Sequence, residues 1–347
     1  MKKHRFAPIR TALVPIVHDC DYETALAAAR ALASDVVLVG LVQIPADEPL
    51  SAGSTKARQV RKLLRELADG AQVRSKSAVP VSHTPWADLL KVINFEEPDL
   101  LLLEWPCHLD SLGVTIAEAL ARPPCDVALV RGPFPKEPGR VLAPVRGGPH
   151  AELALRVGLS LHPQQLTALH LTLQDQATTD APFRGLEQVL KRLPEVQTES
   201  AATADPAVTI LERAGEFDLV VMGATAQPLS SRASLGTVAD RVLQESPAAV
   251  MAVKSRRPMP ANVADETAGA QAISILVDKW FAENTFHADE FVDLNHLATL
   301  KQQRGVTVSL ALPALNEEET VGRVLETVKR ALMDKVPLLD EIVLIDS

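Results

Sequence analysis

The chain has 347 residues, of which 47% are hydrophobic and 23% charged, and its formal net charge is −9. This composition excludes disorder as a global description and, at ~150 residues per domain, predicts two to three domains. The acidic balance and the small number of aromatic residues (8 Phe, 3 Trp and 1 Tyr) argue against nucleic-acid binding, which needs clustered Lys and Arg or a base-stacking platform.

The cysteines and the apolar runs indicate a cytoplasmic protein without a membrane partner. Cys20, Cys107 and Cys125 form no C-x-x-C pair, so we expect reduced, mostly packed thiols. No apolar run approaches the ~18 residues that a membrane span needs. The basic start is followed by only a short apolar stretch, which makes a weak signal peptide. We therefore expect an unprocessed cytosolic chain.

Short apolar runs alternate with helical patterns along the first third of the chain. Strands are predicted at 11–17, 35–42, 72–79, 99–103 and 127–131. Helices are predicted at 21–33, 56–67 and 112–121, and from Thr84-Pro85 onward. This alternation is typical of βαβ units, and it predicts a parallel sheet that is covered on both faces.

A breaker cluster at 132–139 is followed by the same pattern a second time. Strands are predicted at 141–145, 166–173, 196–201, 218–223 and 249–254. Helices are predicted at 150–161, 183–193, 206–214 and 233–244. The order of elements is that of the first third, so the sequence contains a repeat.

Aligned segments support this internal duplication. Residues 98–103 correspond to 217–222, and from Leu112-Gly113 and Leu235-Gly236 the two copies match without a gap to residues 131 and 254. We predict two copies of a five-stranded α/β unit, domain 1 at 1–133 and domain 2 at 134–257.

The remainder of the chain begins a third α/β pattern. Residues 258–267 are a predicted linker, and 268–347 form a further segment with helical patterns at 271–281 and 289–302. A strand from residue 305 then leads into a tight Pro-Ala-Leu turn. We expect a helix capped by Asn316, with three glutamates in its first turn and its end near Met333, and then a strand at 340–345.

The second copy contains a candidate phosphate-binding loop. Gly223-Ala-Thr-Ala226 is followed after nine residues by Gly236-Thr237. Glycine permits close approach of a ligand, the start of a helix is electropositive, and a threonine hydroxyl can donate. Small residues between a strand and a helix are also common for purely structural reasons, so both interpretations stay open.

With the duplication, these residues resemble the universal stress protein family, whose Rossmann-like five-stranded domains are usually dimeric and in part bind ATP. The resemblance implies that Gly223, Ala226, Gly236 and Thr237 lie near the phosphates of ATP or AMP. It also implies that Met222 lies beside the ribose or base.

This sequence departs from the family pattern at several positions. Ala226 stands where the family has its second glycine, and Arg146 stands where ATP-binding members have an aspartate. An arginine can meet a phosphate but cannot accept a hydrogen bond from a ribose. In the first copy the aspartate position is Val17, and the loop 104–113 is four residues shorter.

We therefore interpret the first copy as a non-binding partner domain. Val114 replaces the hydroxyl residue of its loop. Cys107-His108 beside Glu104 could suggest a metal, but a solvated loop is the better interpretation because no fourth ligand is in view. No metal ligand is assigned.

A second candidate site lies at the ends of the two predicted strands near residue 347. The carboxyl ends of adjacent parallel strands form a ligand crevice. Pro313, Ala314 and Leu315 would wall a flat base, Glu317 would accept from a ribose hydroxyl or a base N–H, and Ser347 would close the other side. The structural alternative is a capped acidic helix after a strand.

The stretch from about residue 278 to 347 resembles the start of glucosyl-3-phosphoglycerate synthase, a retaining glycosyltransferase family with the GT-A fold. The resemblance implies transfer of glucose from a UDP- or GDP-glucose class donor to 3-phosphoglycerate, with Mg²⁺ or Mn²⁺ at an Asp-x-Asp motif beyond residue 347. It implies no catalytic residue here. The implied nucleotide-sugar half-site is Pro313, Ala314, Leu315, Asn316, Glu317, Asp346 and Ser347.

Three functional hypotheses follow. The preferred one is a fragment of a hexosyltransferase, inactive by itself, behind tandem universal-stress-protein-like domains that pack as an internal pseudo-dimer and act in regulation or assembly. The second is a nucleotide-sensing module in domain 2. The third is a scaffold with both copies empty that forms homo-oligomers.

Overall fold

The structure is a computed structural model that divides into two compact units, Met1–Thr285 and Phe286–Ser347. It describes residues 8–17, 21–69, 74–106, 109–121, 123–146, 149–173, 186–187, 190–191, 193–224, 235–256, 286, 288–314 and 317–346. Each unit is described by itself.

The first unit is built around one eleven-stranded sheet. Its strands are β1 Thr11–Val17, β2 Asp35–Gln43, β3 Arg74–Ala78, β4 Val81–Ser82, β5 Leu100–Glu104, β6 Asp126–Arg131, β7 Arg140–Val145, β8 Gln165–Leu173, β9 Val196–Thr203, β10 Leu219–Gly223 and β11 Ala249–Lys254. The order is β3-β2-β1-β5-β6-β11-β10-β7-β8-β9, with β4 also beside β2. We call β1–β6 the first half and β7–β11 the second half.

Helices cover both faces of this sheet. They are α1 Glu23–Leu32, α2 Ser54–Asp69, α3 Pro85–Glu96, α4 Ile116–Ala121, α5 Pro149–Ser160, α6 Pro206–Ala214 and α7 Thr237–Glu245. One buried cluster includes residues of α1 and α5, and the other includes residues of α3, α4, α6 and α7. Each cluster contains side chains from both halves, because the strands are apolar on both faces.

The two halves are joined by backbone pairing of β6 with β11. All other neighbouring strands in the sheet are parallel, whereas this pair is antiparallel. Its register runs from Val127 opposite Lys254 to Arg131 opposite Val250. The Arg131 guanidinium also donates to the carbonyl of Ser246 across the pair, at 2.9 Å. The sheet therefore continues from one half into the other.

Arg156 of α5 strengthens this junction with ionic contacts. Its Nη2 lies 2.9 Å from Oδ1 of Asp99, and its Nη1 lies 3.7 Å from Oδ2 of Asp126. The other oxygen of Asp126 accepts from the hydroxyl of Ser255 and from the backbone N–H of Arg256. One half-buried guanidinium of the second half thus holds two carboxylates of the first.

An aspartate fixes the start of β5 against β1. Oδ2 of Asp99 accepts from the backbone N–H groups of Arg10 and Thr11, and its own N–H donates to the Thr11 carbonyl. Burial opposes ionisation of this carboxyl, but the two N–H groups and the Arg156 guanidinium outweigh it and lower the pKa of Asp99.

The same contact recurs at two other parallel strand pairs. Oδ2 of Asp218 accepts from the N–H of Arg140 at 2.8 Å, and Oδ2 of Asp340 accepts from the N–H of Val308 at 2.7 Å. The Lys301 ammonium, with the Val308 N–H, lowers the pKa of Asp340. We call Asp99, Asp218 and Asp340 the crossover aspartates.

Two helix starts also repeat between the halves. Ser82 Oγ accepts from the N–H of Thr84, ahead of α3, and Thr203 Oγ1 accepts from the N–H of Asp205, ahead of α6. A proline follows at the first helical position in both, as the sequence predicts at Thr84-Pro85. The Asp205 carboxylate caps α6 by accepting from two backbone N–H groups.

The second unit contains β12 Ser309–Ala314, α8 Leu294–Arg304, α9 Val321–Lys329 and β13 Glu341–Asp346. A 3₁₀ turn at Ala288–Phe291 precedes α8, and a π-helical turn at Arg330–Lys335 follows α9. β12 and β13 pair in parallel from Ser309–Glu341 to Ala314–Asp346.

The prediction of an α/β fold with a mostly parallel sheet is confirmed, but three predicted helix starts are wrong. The helix expected from Leu112 begins at Ile116 after a 3₁₀ turn. The helix expected from Ala233 begins at Thr237, because Gly236 has φ of +104° and cannot be helical. The predicted helices at 183–193 and 271–281 lie mostly or wholly outside the described residues.

The third wrong start concerns the glutamate-rich segment. Its helix begins at Val321 with Thr320 as the N-cap, so the three glutamates precede the helix, and the predicted cap Asn316 lies outside the described residues. Thr320 Oγ1 donates to the carboxylate of Glu317, and the N–H of Thr320 donates to the Glu317 carbonyl. The residues predicted to form the first turn of the helix therefore form a separate turn ahead of it.

Cys125 is a packed thiol, as the sequence predicts. It is 4% exposed, and burial raises its pKa to about 12, so the thiolate is scarce at neutral pH. Cys20 and Cys107 lie outside the described residues.

We expect Asp99→Asn to lower the free energy of unfolding at pH 7 by about 1–2 kcal/mol, because the charged acceptor of three donors is lost. The folded-state pKa lies below the ordinary 3.8, so this stabilisation is complete above that pH and is lost as the pH falls through the folded pKa. Urea unfolding at pH 7 and pH 3 measures the difference. Asp47→Asn, at an exposed turn, is the control, and an equal loss at both pH values would contradict the assignment.

Candidate functional site

The structure brings three of the predicted nucleotide residues to neighbouring strand ends in the second half. β10 lies between β11 and β7. Gly223 is the last residue of β10, Met222 before it is buried, and Arg146 follows the end of β7 with an exposed side chain. Ala226 lies outside the described residues. The carboxyl edge of a parallel sheet is where such folds bind ligands.

Gly223 is required by close packing of α5. A Cβ at this position would lie 2.9 Å from both the carbonyl carbon and the Cβ of His150, near the start of α5. The His150 ring is itself fixed, because its Nδ1 accepts from the N–H of Ser255 at 3.0 Å. The glycine therefore has a structural reason that is independent of any ligand.

Gly236 and Thr237 form the start of α7. Gly236 is the N-cap with φ of +104°, and it supplies no side-chain cap. Thr237 is exposed at the first helical position, while Asp240 accepts from the N–H of Leu235 at 3.4 Å. A helix start without a side-chain cap offers N–H groups and a partial positive charge, which suit an anion.

The equivalent position in the first half carries a carboxylate. Glu104 pairs with the fifth residue of β6, as Gly223 pairs with the fifth residue of β11. Oε2 of Glu104 accepts from the N–H of Thr24 at 2.9 Å and of Ala25 at 3.4 Å. The N-cap residue of α1 provides no side-chain bond, so Glu104 supplies the anion for this helix start.

A small cavity of about 30 Å³ lies beside Glu104. Its lining includes Val17 at the end of β1, Tyr22 before α1 and Leu109 of the following 3₁₀ turn. This volume holds about two water molecules, far less than a nucleoside. The sequence favours a solvated loop over a metal site at Glu104, Cys107 and His108 and predicts no capping role for Glu104, because the helix that it caps lies 80 residues earlier.

The second candidate site is only partly described. Ala314 and Asp346 are the last paired residues of β12 and β13, Pro313 is exposed, and Ala314 is half-buried. Glu317 is exposed and accepts from Thr320. Leu315, Asn316, Ser347 and the side chain of Asp346 lie outside the described residues. The paired strand ends bring Pro313, Ala314 and the backbone of Asp346 to one edge.

Within the described ranges no group of three His, Cys, Asp or Glu side chains could hold a metal ion. Cys107 and His108 fall outside those ranges. None of the helices described is long and apolar enough to cross a membrane.

Comparison with known proteins separates the two units. Residues 138–254 match the model of the universal stress protein family. A solved universal stress protein from Archaeoglobus fulgidus is 17% identical, covers 71% of this chain and 96% of its own, and superposes with a TM-score of 0.52. At this identity the likeness concerns the fold.

Two curated relatives are similar over short stretches. The glucosyl-3-phosphoglycerate synthase of Petrotoga mobilis is 46% identical over 65 residues, which are 19% of this chain and 20% of that protein. The enzyme of the same name from Mycolicibacterium smegmatis is 58% identical over 43 residues, 12% of this chain and 13% of that protein. The match thus spans a fifth or less of each relative.

We expect Gly223→Ala to lower the free energy of unfolding by about 1–3 kcal/mol, because the new methyl group meets the backbone of His150 and α5 must shift. Gly215→Ala is the matched control, since a Cβ there makes only an ordinary contact at 3.9 Å. Chemical denaturation of both variants measures the effect. Equal stabilities would show that α5 does not pack against Gly223 in solution.

Proposed function

We propose that this chain, which contains a universal stress protein domain at residues 138–254, is the nucleotide-sugar-binding part of a glycosyltransferase joined to a regulatory or assembly module. The transferase part is similar to glucosyl-3-phosphoglycerate synthase, the enzyme to which both short matches belong. The donor is a UDP- or GDP-glucose class nucleotide sugar, and the acceptor is 3-phosphoglycerate.

The parallel pairing of β12 with β13 is the observation that carries this proposal. Their last paired residues, Ala314 and Asp346, place two strand ends side by side, which is the arrangement of a nucleotide crevice. Pro313 offers an exposed apolar wall for a base. Glu317 follows closely, and its exposed carboxylate can exchange the local Thr320 hydroxyl for a ribose hydroxyl.

The metal that such a transferase uses does not fit the described residues. Mg²⁺ and Mn²⁺ prefer several oxygen ligands, and the described part of the chain has no cluster of three acidic or histidine ligands. The described residues therefore support no metal-dependent step. In this proposal the chain binds and orients the nucleoside end of the donor, while neutralisation of the leaving diphosphate needs further residues.

The module in front is proposed to be a tandem pair, domain 1 at 1–133 and domain 2 at 134–257. Support comes from contacts that occur twice, namely the crossover aspartates before β5 and β10 and the Ser82 and Thr203 hydroxyls ahead of α3 and α6. The β6–β11 pair then makes the two copies an internal pseudo-dimer. Such a module assembles the enzyme into homo-oligomers or regulates it.

We expect no glucosyl transfer by this chain, and transfer by a form extended with the segment that follows the matched stretch in the Petrotoga mobilis relative, in the presence of Mg²⁺ or Mn²⁺. In the extended form, Glu317→Gln should raise the donor KM about tenfold, because a charged hydrogen bond to the donor is lost. Glu319→Gln, at an exposed neighbouring glutamate, should leave KM unchanged. Activity of the unextended chain, or none in the extended form with either metal, would reject the proposal.

The second candidate function is nucleotide sensing by domain 2. The uncapped start of α7 at Gly236 and Thr237 favours it, with Arg146 as a cation near the same edge. The equivalent helix of the first half, α4, has a capped start, because Oε2 of Glu118 accepts from the N–H of Thr115 and Oγ1 of Thr115 accepts from the N–H of Glu118. Phosphate recognition is therefore expected only in the second half.

We expect calorimetry of the full chain with ATP, ADP and AMP to show micromolar binding that Gly236→Ala removes. Gly113→Ala is the matched control, since Gly113 is the equivalent residue of the first half and also has positive φ. Heat from none of the three nucleotides would favour the scaffold, whose oligomers sedimentation velocity would detect.

A further inference from the structure

The chain is fixed by hydrogen bonds where it leaves the large sheet at the end of β11. The N–H of Ser255, the first residue after this strand, donates to Nδ1 of His150 at 3.0 Å. The Ser255 hydroxyl and the N–H of Arg256 both donate to Oδ1 of Asp126, at 3.2 and 2.8 Å. Two side chains thus hold two consecutive residues of this exit, and we call His150 and Asp126 the exit clasp.

The two acceptors of the exit clasp come from different halves of the first unit and differ in their chemistry. His150 is the second residue of α5 in the second half, and Asp126 is the first residue of β6 in the first half. The other oxygen of Asp126 lies 3.7 Å from Nη1 of Arg156, so this carboxylate has a charge partner as well. Aspartates ordinarily ionise near pH 4, whereas an imidazole changes its charge near pH 6.5. Of the two acceptors, His150 is therefore the one that can respond to mildly acidic solution.

The contact with Ser255 requires a neutral His150 ring. A backbone N–H can only donate, so Nδ1 must accept with its lone pair and the ring hydrogen must lie on Nε2. A protonated ring carries a hydrogen on both nitrogens, which would set two donors against each other. The side chain is 8% exposed, so little water is available to replace the lost partner. Protonation of the ring and the contact with Ser255 therefore exclude each other.

The position of His150 in the fold also opposes a positive charge. The start of an α-helix carries a partial positive charge, and the ring lies there, at the start of α5. The strands packed against α5 are β7, β8, β10 and β11. The residue of β10 beside His150 is Gly223, which has no charge. Lys254 of β11 alternates with Val253, which belongs to the buried cluster on the α5 side, so the lysine points to the other face of the sheet.

The remaining charged groups around the clasp do not favour an imidazolium. The charged and titratable residues that the structure describes on α5 and at the carboxyl ends of the strands packed against it are Glu152, Arg156, Arg146, His170 and Lys254. Glu152 and Arg146 are exposed, so water screens their charges. His170 is buried, and its Nδ1 lies 3.3 Å from the carbonyl oxygen of Val145. The carboxylate of Asp126 is shared by Ser255, Arg256 and Arg156.

We propose that the exit clasp is a pH-sensitive hold on the chain that leaves the large sheet, in which protonation of the His150 imidazole releases the N–H of Ser255 while Asp126 still holds Arg256. The open form takes up a proton below about pH 6.5, the ordinary range of a histidine, whereas the closed form does not. The clasp is thus fully closed above this pH, and opening becomes about tenfold more frequent for each pH unit below it. Mildly acidic solution therefore loosens the exit of the chain while the sheet stays folded.

Hydrogen exchange of the backbone amides of the full 347-residue chain, followed by NMR at pH 7.5 and pH 5.5, tests this proposal. We expect the protection factor of the Ser255 N–H, corrected for the intrinsic pH dependence of exchange, to fall about tenfold between the two pH values. The protection factor of the Arg256 N–H should change less than twofold. The same is expected for Ala224, whose N–H donates to the Val253 carbonyl inside the sheet at 2.8 Å. The nitrogen chemical shifts of the His150 ring should show an unprotonated Nδ1 at pH 7.5.

A side chain that accepts a hydrogen bond but does not titrate separates the His150 ring from other groups. The side-chain oxygen introduced by His150→Asn can take the place of Nδ1, so this variant should protect Ser255 equally at both pH values. His296→Asn, at an exposed histidine of α8, is the matched control and should keep the tenfold fall.

Equal protection of Ser255 at pH 7.5 and pH 5.5 in the wild-type chain overturns the proposal. The same tenfold fall in His150→Asn also overturns it, because another group then causes the effect. An equal fall at Ala224 overturns it as well, since the whole sheet then loosens. Low protection at both pH values in His150→Asn, with Ala224 unchanged, shows that the acceptor is lost, and the fall in the wild-type chain then supports the role of the ring.

Discussion

The backbone pairing of β6 with β11 is the constraint on which the rest of the first unit depends. Because the pair is antiparallel inside an otherwise parallel sheet, the two halves meet edge to edge with opposite strand directions. Both buried clusters cross the junction, so each half contributes to the core of the other. Arg156 adds charge pairing at the same place. Among the strands that the structure describes, β3 and β9 stand at the two ends of the order.

Carboxylates placed just before strands fix the register between parallel strands that are neighbours in the sheet but distant in sequence. The crossover aspartates accept N–H groups at the start of the adjacent strand in both halves and in the second unit. The carboxylate of Asp99 also accepts from Arg156, which belongs to the second half, so this aspartate links the two halves as well. Glu104 applies the same chemistry to a helix start and leaves little room beside it.

Much of the fold could be predicted from the sequence, because alternating apolar runs and helical patterns report burial directly. The α/β class, the positions of most strands and the start of α6 at Asp205-Pro206 follow from local chemistry. The starts of α7 and α9 could not be predicted, because φ at Gly236 and the turn at Thr320 depend on backbone geometry. The role of Glu104 depends on contacts across 80 residues, which no local pattern reveals.

The β6–β11 pair also has a consequence for how the protein is made. β6 is an apolar strand, and its pairing partner is synthesised more than a hundred residues later. At ~5–20 residues per second, a nascent chain carries this bare edge for on the order of ten seconds. During that time the edge resembles the strand ends that drive intermolecular β-pairing. We therefore expect a chaperone to shield the edge of β6 while the chain is still bound to the ribosome, before β11 has been synthesised.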